Sequence, residues 1–261
     1  MKNLFEKVDS FHLSDIKNPT HPSSFIEEEA YDILILTLPH YSDTCLTMES
    51  HAFVFDHASY YYFDKQKAEF VNFETMQHVY EFLNEKTNET MALVASMHEG
   101  IDLMEEKLYD NAGFSNFMHY WLANKKDLSR IHRVLNLGVE VLNTFITTYL
   151  KEEDFLAIHF QDIHEHIGRT NRSALLATDK LNNLYNFYTT RSNEKMNRTI
   201  YLLTMLSGIF LPLHFVAGYF GMNSQGLPFS EIPYGTALVT LIMASCAIIM
   251  TGLILFLKKR L

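Results

Sequence analysis

A chain of 261 residues can bury a sizeable core in one or two domains, and its net charge of −10 excludes the basic footprint that duplex nucleic acid requires. Its two cysteines, Cys45 and Cys246, stand alone and give neither a disulfide framework nor a cysteine metal site. An apolar content of 48% is ordinary for a globular protein, but the longest uncharged runs all lie at the C-terminal end.

The first residues, "MKNLFEKVDSFHLSDIK", lack the apolar core of a signal peptide. "YDILILTL" (31–38), "HAFVFD" (51–56) and "ASYYYFD" (58–64) are aromatic and β-branched, and predict a small N-terminal sheet. No proline then occurs until Pro212, which suits long helices. Apolar spacing predicts a short helix over 74–86, a second over 89–110 ending near "NAG", and a third from about 115 to 150. A fourth begins near Phe155 and is interrupted only by Gly168 before the apolar region. Continuous to Phe220, it would be a stalk ~100 Å long at 1.5 Å per residue, and a break at "IGRTNRS" is the alternative.

From Thr199 to Ser230 and from Ile232 to Leu257 there is no charged residue, and each run exceeds the ~20 residues a helix needs to cross a bilayer. Arg198, Lys258, Lys259 and Arg260 against Glu231 give residues 198–261 a charge of +3, leaving −13 on residues 1–197. The basic residues flank the two runs on one side, so the positive-inside rule predicts both termini in the cytoplasm and the connecting loop outside.

Steps of three and four from Asn197 give Ile200, Thr204, Ser207, Leu211, His214 and Gly218, a seam of period 3.5. Apart from Tyr201 and Tyr219 near the ends, every polar side chain of this span falls on it. Polar groups in a bilayer collect on a protected face, either a water-filled axis or a helix–helix interface. The span ends in "GYFGMNSQGLPF" (218–229), where Gly221 can cap the helix in the left-handed conformation and Asn223 can turn its amide oxygen to the axis. A ring of uncharged oxygens can hydrogen-bond hydrated magnesium, which sheds water reluctantly. Several symmetric copies are needed to enclose such a pore.

"MNRTIYLLTMLSGIFLPLHFVAGYFGMN" (196–223), followed by a short loop, a second span and a "KKR" tail, resembles the CorA-type divalent-cation transporters, whose signature is Gly-Met-Asn at the outer end of the first of two C-terminal spans. The resemblance implies an α+β cytosolic domain with long helices and a stalk, two transmembrane helices, and a homopentamer. It divides the chain into an N-terminal α/β part (1–72), a helical part (73–154), a stalk (155–200), a pore-lining span (201–220), an external loop (221–233), a second span (234–257) and a basic tail (258–261). It makes Asn223 the selectivity residue shaped by Gly221 and Met222, Asn197 the cytoplasmic mouth, and Leu211 an apolar constriction. It also implies a regulatory metal site in "FQDIHEH" (160–166), with Asp162 and His166 on one helix face and an acidic partner from a neighbouring subunit, for which Glu27, Glu28 and Glu29 are candidates.

Three positions depart from the family. His214 stands where a small hydroxyl residue is usual, Asn186 where an acid is common, and "NSQGLP" lacks the acidic loop of magnesium members and looks like the ZntB zinc branch, with Glu231 a substitute charge. The expected function is import of divalent cations, magnesium with cobalt or nickel, across the inner (plasma) membrane, with no cofactor beyond the ion and no partners beyond other copies, lipid and the ion. Zinc transport is the alternative. A membrane-anchored metal-dependent hydrolase using His159, Asp162, His164 and His166 is a distant third, since no nucleophile signature accompanies them.

Overall fold

The structure, a computed structural model, describes all residues except 1, 43–44, 57–58, 111–115, 153–154, 223–226, 230–231 and 259–261. The elements in chain order are α1 (Lys2–Lys7), α2 (Ser10–Lys17), β1 (Ser24–Glu27), β2 (Asp32–Ser42), β3 (Cys45–Asp56), β4 (Ser59–Asp64), β5 (Glu69–Phe73), α3 (Met76–Tyr109), α4 (Phe117–Tyr149), α5 (Ala157–Phe220) and α6 (Gly235–Lys258). They fall into two compact units, residues 1–186 and 187–261.

The first unit is built on a five-stranded antiparallel sheet in sequence order, each strand hydrogen-bonded to the next. In β2 every residue from Ile33 to Leu38 is buried, because the sheet is covered on both faces. Ile33 and Ile35, with Ala52 and Val54 of β3, pack on Leu4 and Val8 at the N-terminus and Ile16 of α2. The opposite face carries Phe53 against Phe82 of α3 (centroids 5.7 Å apart) and Phe55 against Phe145 of α4 (5.4 Å). Burying each such side chain stabilises the fold by ~1.5–3 kcal/mol.

The predicted sheet is present and larger than expected. β1 has only four residues and β5 only five, too short to stand out by periodicity, and α2 is a short helix whose start is marked by Asp9 accepting a hydrogen bond from Phe11 N at 2.8 Å. The two helices expected over 74–86 and 89–110 are one, α3. The polar stretch between them needs no break, since Thr87 and Thr90 are buried and the Thr90 hydroxyl donates to Lys86 O at 3.0 Å.

Residues 167–173 are helical, so α5 has no break at "IGRTNRS". Within the first unit α5 buries Phe160, Ile163, Ile167, Thr170, Ala174, Ala177, Leu181 and Leu184, alternating steps of three and four. Polar ties accompany that stripe. His98 Nε2 of α3 meets Ser173 Oγ at 2.9 Å, and Lys180 reaches Asp102 and Glu105 at 2.6 and 2.5 Å. From α4, His132 Nδ1 meets Asn171 Oδ1 at 2.6 Å and Trp121 Nε1 donates to Leu181 O at 3.0 Å.

The second unit holds the remainder of α5 and all of α6. Each contains a stretch long and apolar enough to cross a membrane. α6 starts at Gly235, whose absent Cβ would fall 1.9 Å from Phe229 O, so no other residue fits that turn.

Candidate ion-conduction site

Exposure divides the second unit's part of α5 into two faces. Met205, Ile209, Pro212, Leu213, Val216 and Phe220 are half-buried, and they form one stripe. Val239, Met243, Cys246, Ala247 and Met250 form the matching half-buried stripe on α6, the other helix of this unit. The predicted seam lies elsewhere on α5: Asn197, Ile200, Thr204, Ser207, Leu211, His214 and Gly218 are all exposed, Leu211 at 70%. The face left uncovered by α6 is broad: it carries the polar seam and, beside it, the exposed apolar side chains Leu202, Leu203, Leu206, Phe210 and Phe215.

Toward the N-terminus, steps of four and three from Asn197 reach Asn193 and Thr190, also exposed. The same spacing that sets the seam from Asn197 onward places both residues on it.

At Thr204 the outward lone pairs of the seam are acceptors. The Thr204 hydroxyl donates to Ile200 O at 2.9 Å, which occupies its proton and leaves oxygen lone pairs. His214 Nδ1 lies 3.0 Å from Phe210 O. Acceptors suit a hydrated cation, whose water shell offers protons outward. Pro212, inside the helix, has no N–H for the carbonyl of Gly208, a local weakness that transmembrane helices tolerate beside neighbours or water.

Just past the C-terminal end of α5, Gly221 does not take the left-handed conformation expected of it. Its N–H donates to Ala217 O at 2.9 Å, and a Cβ would approach that same oxygen to 2.9 Å, so glycine is required by close approach. Met222 is exposed. Asn223 and Glu231 lie outside the described residues.

In the first unit, Asp162 Oδ1 and His166 Nε2 are 3.7 Å apart on one helix face, as the spacing predicts. His166 Nδ1 and His164 Nδ1 are buried without a hydrogen-bond partner. Asp162 lines a cavity of about 430 Å³ with Ile146, Leu150, Ile158 and Glu165. The neighbouring Glu165 is held below the usual carboxylate range by its hydrogen bond to Arg169 at 2.7 Å. Glu27 and Glu28 line a different cavity, about 600 Å³, with Asp32, Asp56, Tyr149 and Glu152, so one chain does not bring them to Asp162. His159 packs edge-on against Tyr80, with centroids 4.9 Å apart. Among the described residues no three or more His, Cys, Asp or Glu side chains gather as a metal site within one chain, and the four residues of the hydrolase alternative do not converge.

Residues 72–259 match the family described as CorA-like Mg2+ transporter protein. Over 172 residues the chain is 25% identical to the divalent cation transporter CmaX of Pseudomonas aeruginosa, covering 65% of this chain and 51% of that protein. Over 157 residues it is 24% identical to the zinc transport protein ZntB of Pectobacterium atrosepticum, covering 57% and 45%. The chain thus spans about half the length of these relatives. Its fold resembles the complete structure of the CorA magnesium transporter from Methanocaldococcus jannaschii with a TM-score of 0.79, over 97% of this chain and 85% of that one at 19% identity. With two helices of membrane-crossing length and a family match over most of its residues, the chain is a membrane protein of the CorA-like Mg2+ transporter family.

Proposed function

We propose that the chain carries divalent cations, magnesium foremost, through a pore surrounded by five symmetric copies of α5. The observation that carries this reading is the uncovered polar seam from Asn197 to Gly218, which leads to Gly221, Met222 and Asn223. One helix encloses nothing, but copies arranged about an axis would bring the seams together as rings. Leu211 then forms an apolar constriction and Asn223 the outer ring of amide oxygens. With both termini on the cytoplasmic side of the inner (plasma) membrane, an inside-negative potential drives import, at ~2.3 kcal/mol per charge per 100 mV and about twice that for a divalent ion. Asp162 and His166 serve as part of a regulatory ion site completed by a carboxylate from a neighbouring copy.

Zinc as the cargo is the competing reading, favoured by the likeness to ZntB and by the loop "NSQGLP". The test is flux into liposomes holding the purified full chain and a trapped magnesium indicator. Magnesium influx is expected in the wild type and is lost in Asn223→Ala. The thiol of a Ser207→Cys variant is expected to react with a membrane-impermeant cationic reagent and stop the flux. An assembled oligomer that passes no divalent cation, or a Ser207→Cys thiol inert to the reagent, overturns the reading.

A further inference from the structure

His214 is an ionisable side chain within an apolar span, exposed on the seam one turn beyond Leu211. A backbone carbonyl can only accept, so the 3.0 Å contact with Phe210 O puts the proton on Nδ1 and leaves the lone pair on Nε2. The ring is further oriented by the edge of Phe210, with centroids 6.3 Å apart. An imidazole that gives one N–H to a backbone carbonyl and keeps the other nitrogen bare is prepared as a metal ligand, because that hydrogen bond fixes the tautomer and the ring's orientation. A single chain supplies one such nitrogen. Copies about an axis would repeat it at one level and complete a ligand set that no single chain contains.

We infer that the Nε2 atoms of His214 form a nitrogen ring in the pore that binds zinc, nickel or cobalt ions directly. This rests on the pore reading above. Imidazole nitrogen suits these borderline metals, whereas magnesium prefers oxygen and keeps its water. The seam therefore holds two chemistries. Oxygen acceptors at Thr204 and Ser207 tolerate a hydrated ion, and one nitrogen level competes for the inner coordination shell. Magnesium passes that level in its water, while a metal that exchanges water for nitrogen lingers and obstructs.

The experiment uses the full chain, wild type, His214→Thr and His214→Gln, each checked for the same oligomer size. Nickel is titrated against magnesium flux in liposomes, and cobalt binding is followed by visible absorption in detergent. Nickel is expected to block the wild type at concentrations at least about tenfold lower than either variant. The cobalt band of nitrogen ligation is expected to diminish in both variants. Equal nickel sensitivity and an unchanged cobalt band in chains that all conduct magnesium remove His214 as the ligand and leave the pore standing. A wild type that conducts no divalent cation removes the pore, and the ring with it.

Discussion

His51 makes the fold of the first unit acid-sensitive. Its side chain is 2% exposed in β3, edge-on to Phe82 at 5.3 Å, with Nδ1 3.5 Å from the Tyr62 hydroxyl. Burial first, then the positive charges of Lys86, Lys65 and His40, push its pKa from 6.5 down to about 3. The unfolded imidazole takes up a proton near pH 6.5 and the folded one does not until about pH 3. Stability from keeping His51 neutral is therefore complete above pH 6.5 and is lost as pH falls from there toward 3. Between pH 7 and 4.5 the loss from this group is about 2–3 kcal/mol, on the order of 5–10 °C in melting temperature for a unit of this size. Replacing His51 with leucine removes the titrating group. Thermal unfolding of the full chain in detergent, followed by Trp121 fluorescence, should show the fall between about pH 7 and 4.5 shrinking by that amount in the variant. The same fall in both chains would refute the reasoning.

Gly221→Ala places a Cβ 2.9 Å from the backbone oxygen of Ala217, which must displace the chain leading into Met222. Magnesium flux should drop by about tenfold, equivalent to ~1.4 kcal/mol on the barrier. Gly252→Ala, with nothing within 4 Å of its new methyl, should conduct normally in the same liposome assay. If the proposed regulatory site exists, Asp162→Asn combined with His166→Ala should make flux in the liposome assay insensitive to magnesium added on the side of the first unit.

What the sequence made legible follows from where the signal is local. β2 reads as a strand because the run from Ile33 to Leu38 is apolar enough to be buried on two faces, and the apolar spans read from length alone. β1 and β5 owe their existence to neighbours in the sheet, so four or five residues carry too little pattern of their own. The fusion of two expected helices into α3 depended on Thr87 and Thr90 being buried, a tertiary fact that overrides their modest helix propensity. At the site, the Asp162–His166 pair and the seam were readable because helical spacing alone fixes a common face. The conformation of Gly221 was not, because its approach to Ala217 O depends on how the helix ends. Nor were the ties of α5 to α3 and α4, since Lys180 meets Asp102 and Glu105 across a long stretch of intervening chain.

The seam residues do not weigh equally in favour of a water-filled axis. Thr204 satisfies its own proton on Ile200 O, as hydroxyls in transmembrane helices commonly do, so lipid would tolerate it at modest cost. Ile200 and Leu211 are apolar and suit either environment. His214 differs, because its Nδ1 is already occupied by Phe210 O and its Nε2, a lone-pair acceptor, finds no free N–H on the side of its own helix. A bare acceptor in hydrocarbon costs several kcal/mol, and in the proposed oligomer each copy would repeat that penalty at a single level. Only water, a donor from another copy, or a metal ion relieves it. Where Thr204 closes its own hydrogen bond, Nε2 of His214 needs a donor or a metal from outside its helix, which makes its surroundings a direct measure of what the face encloses.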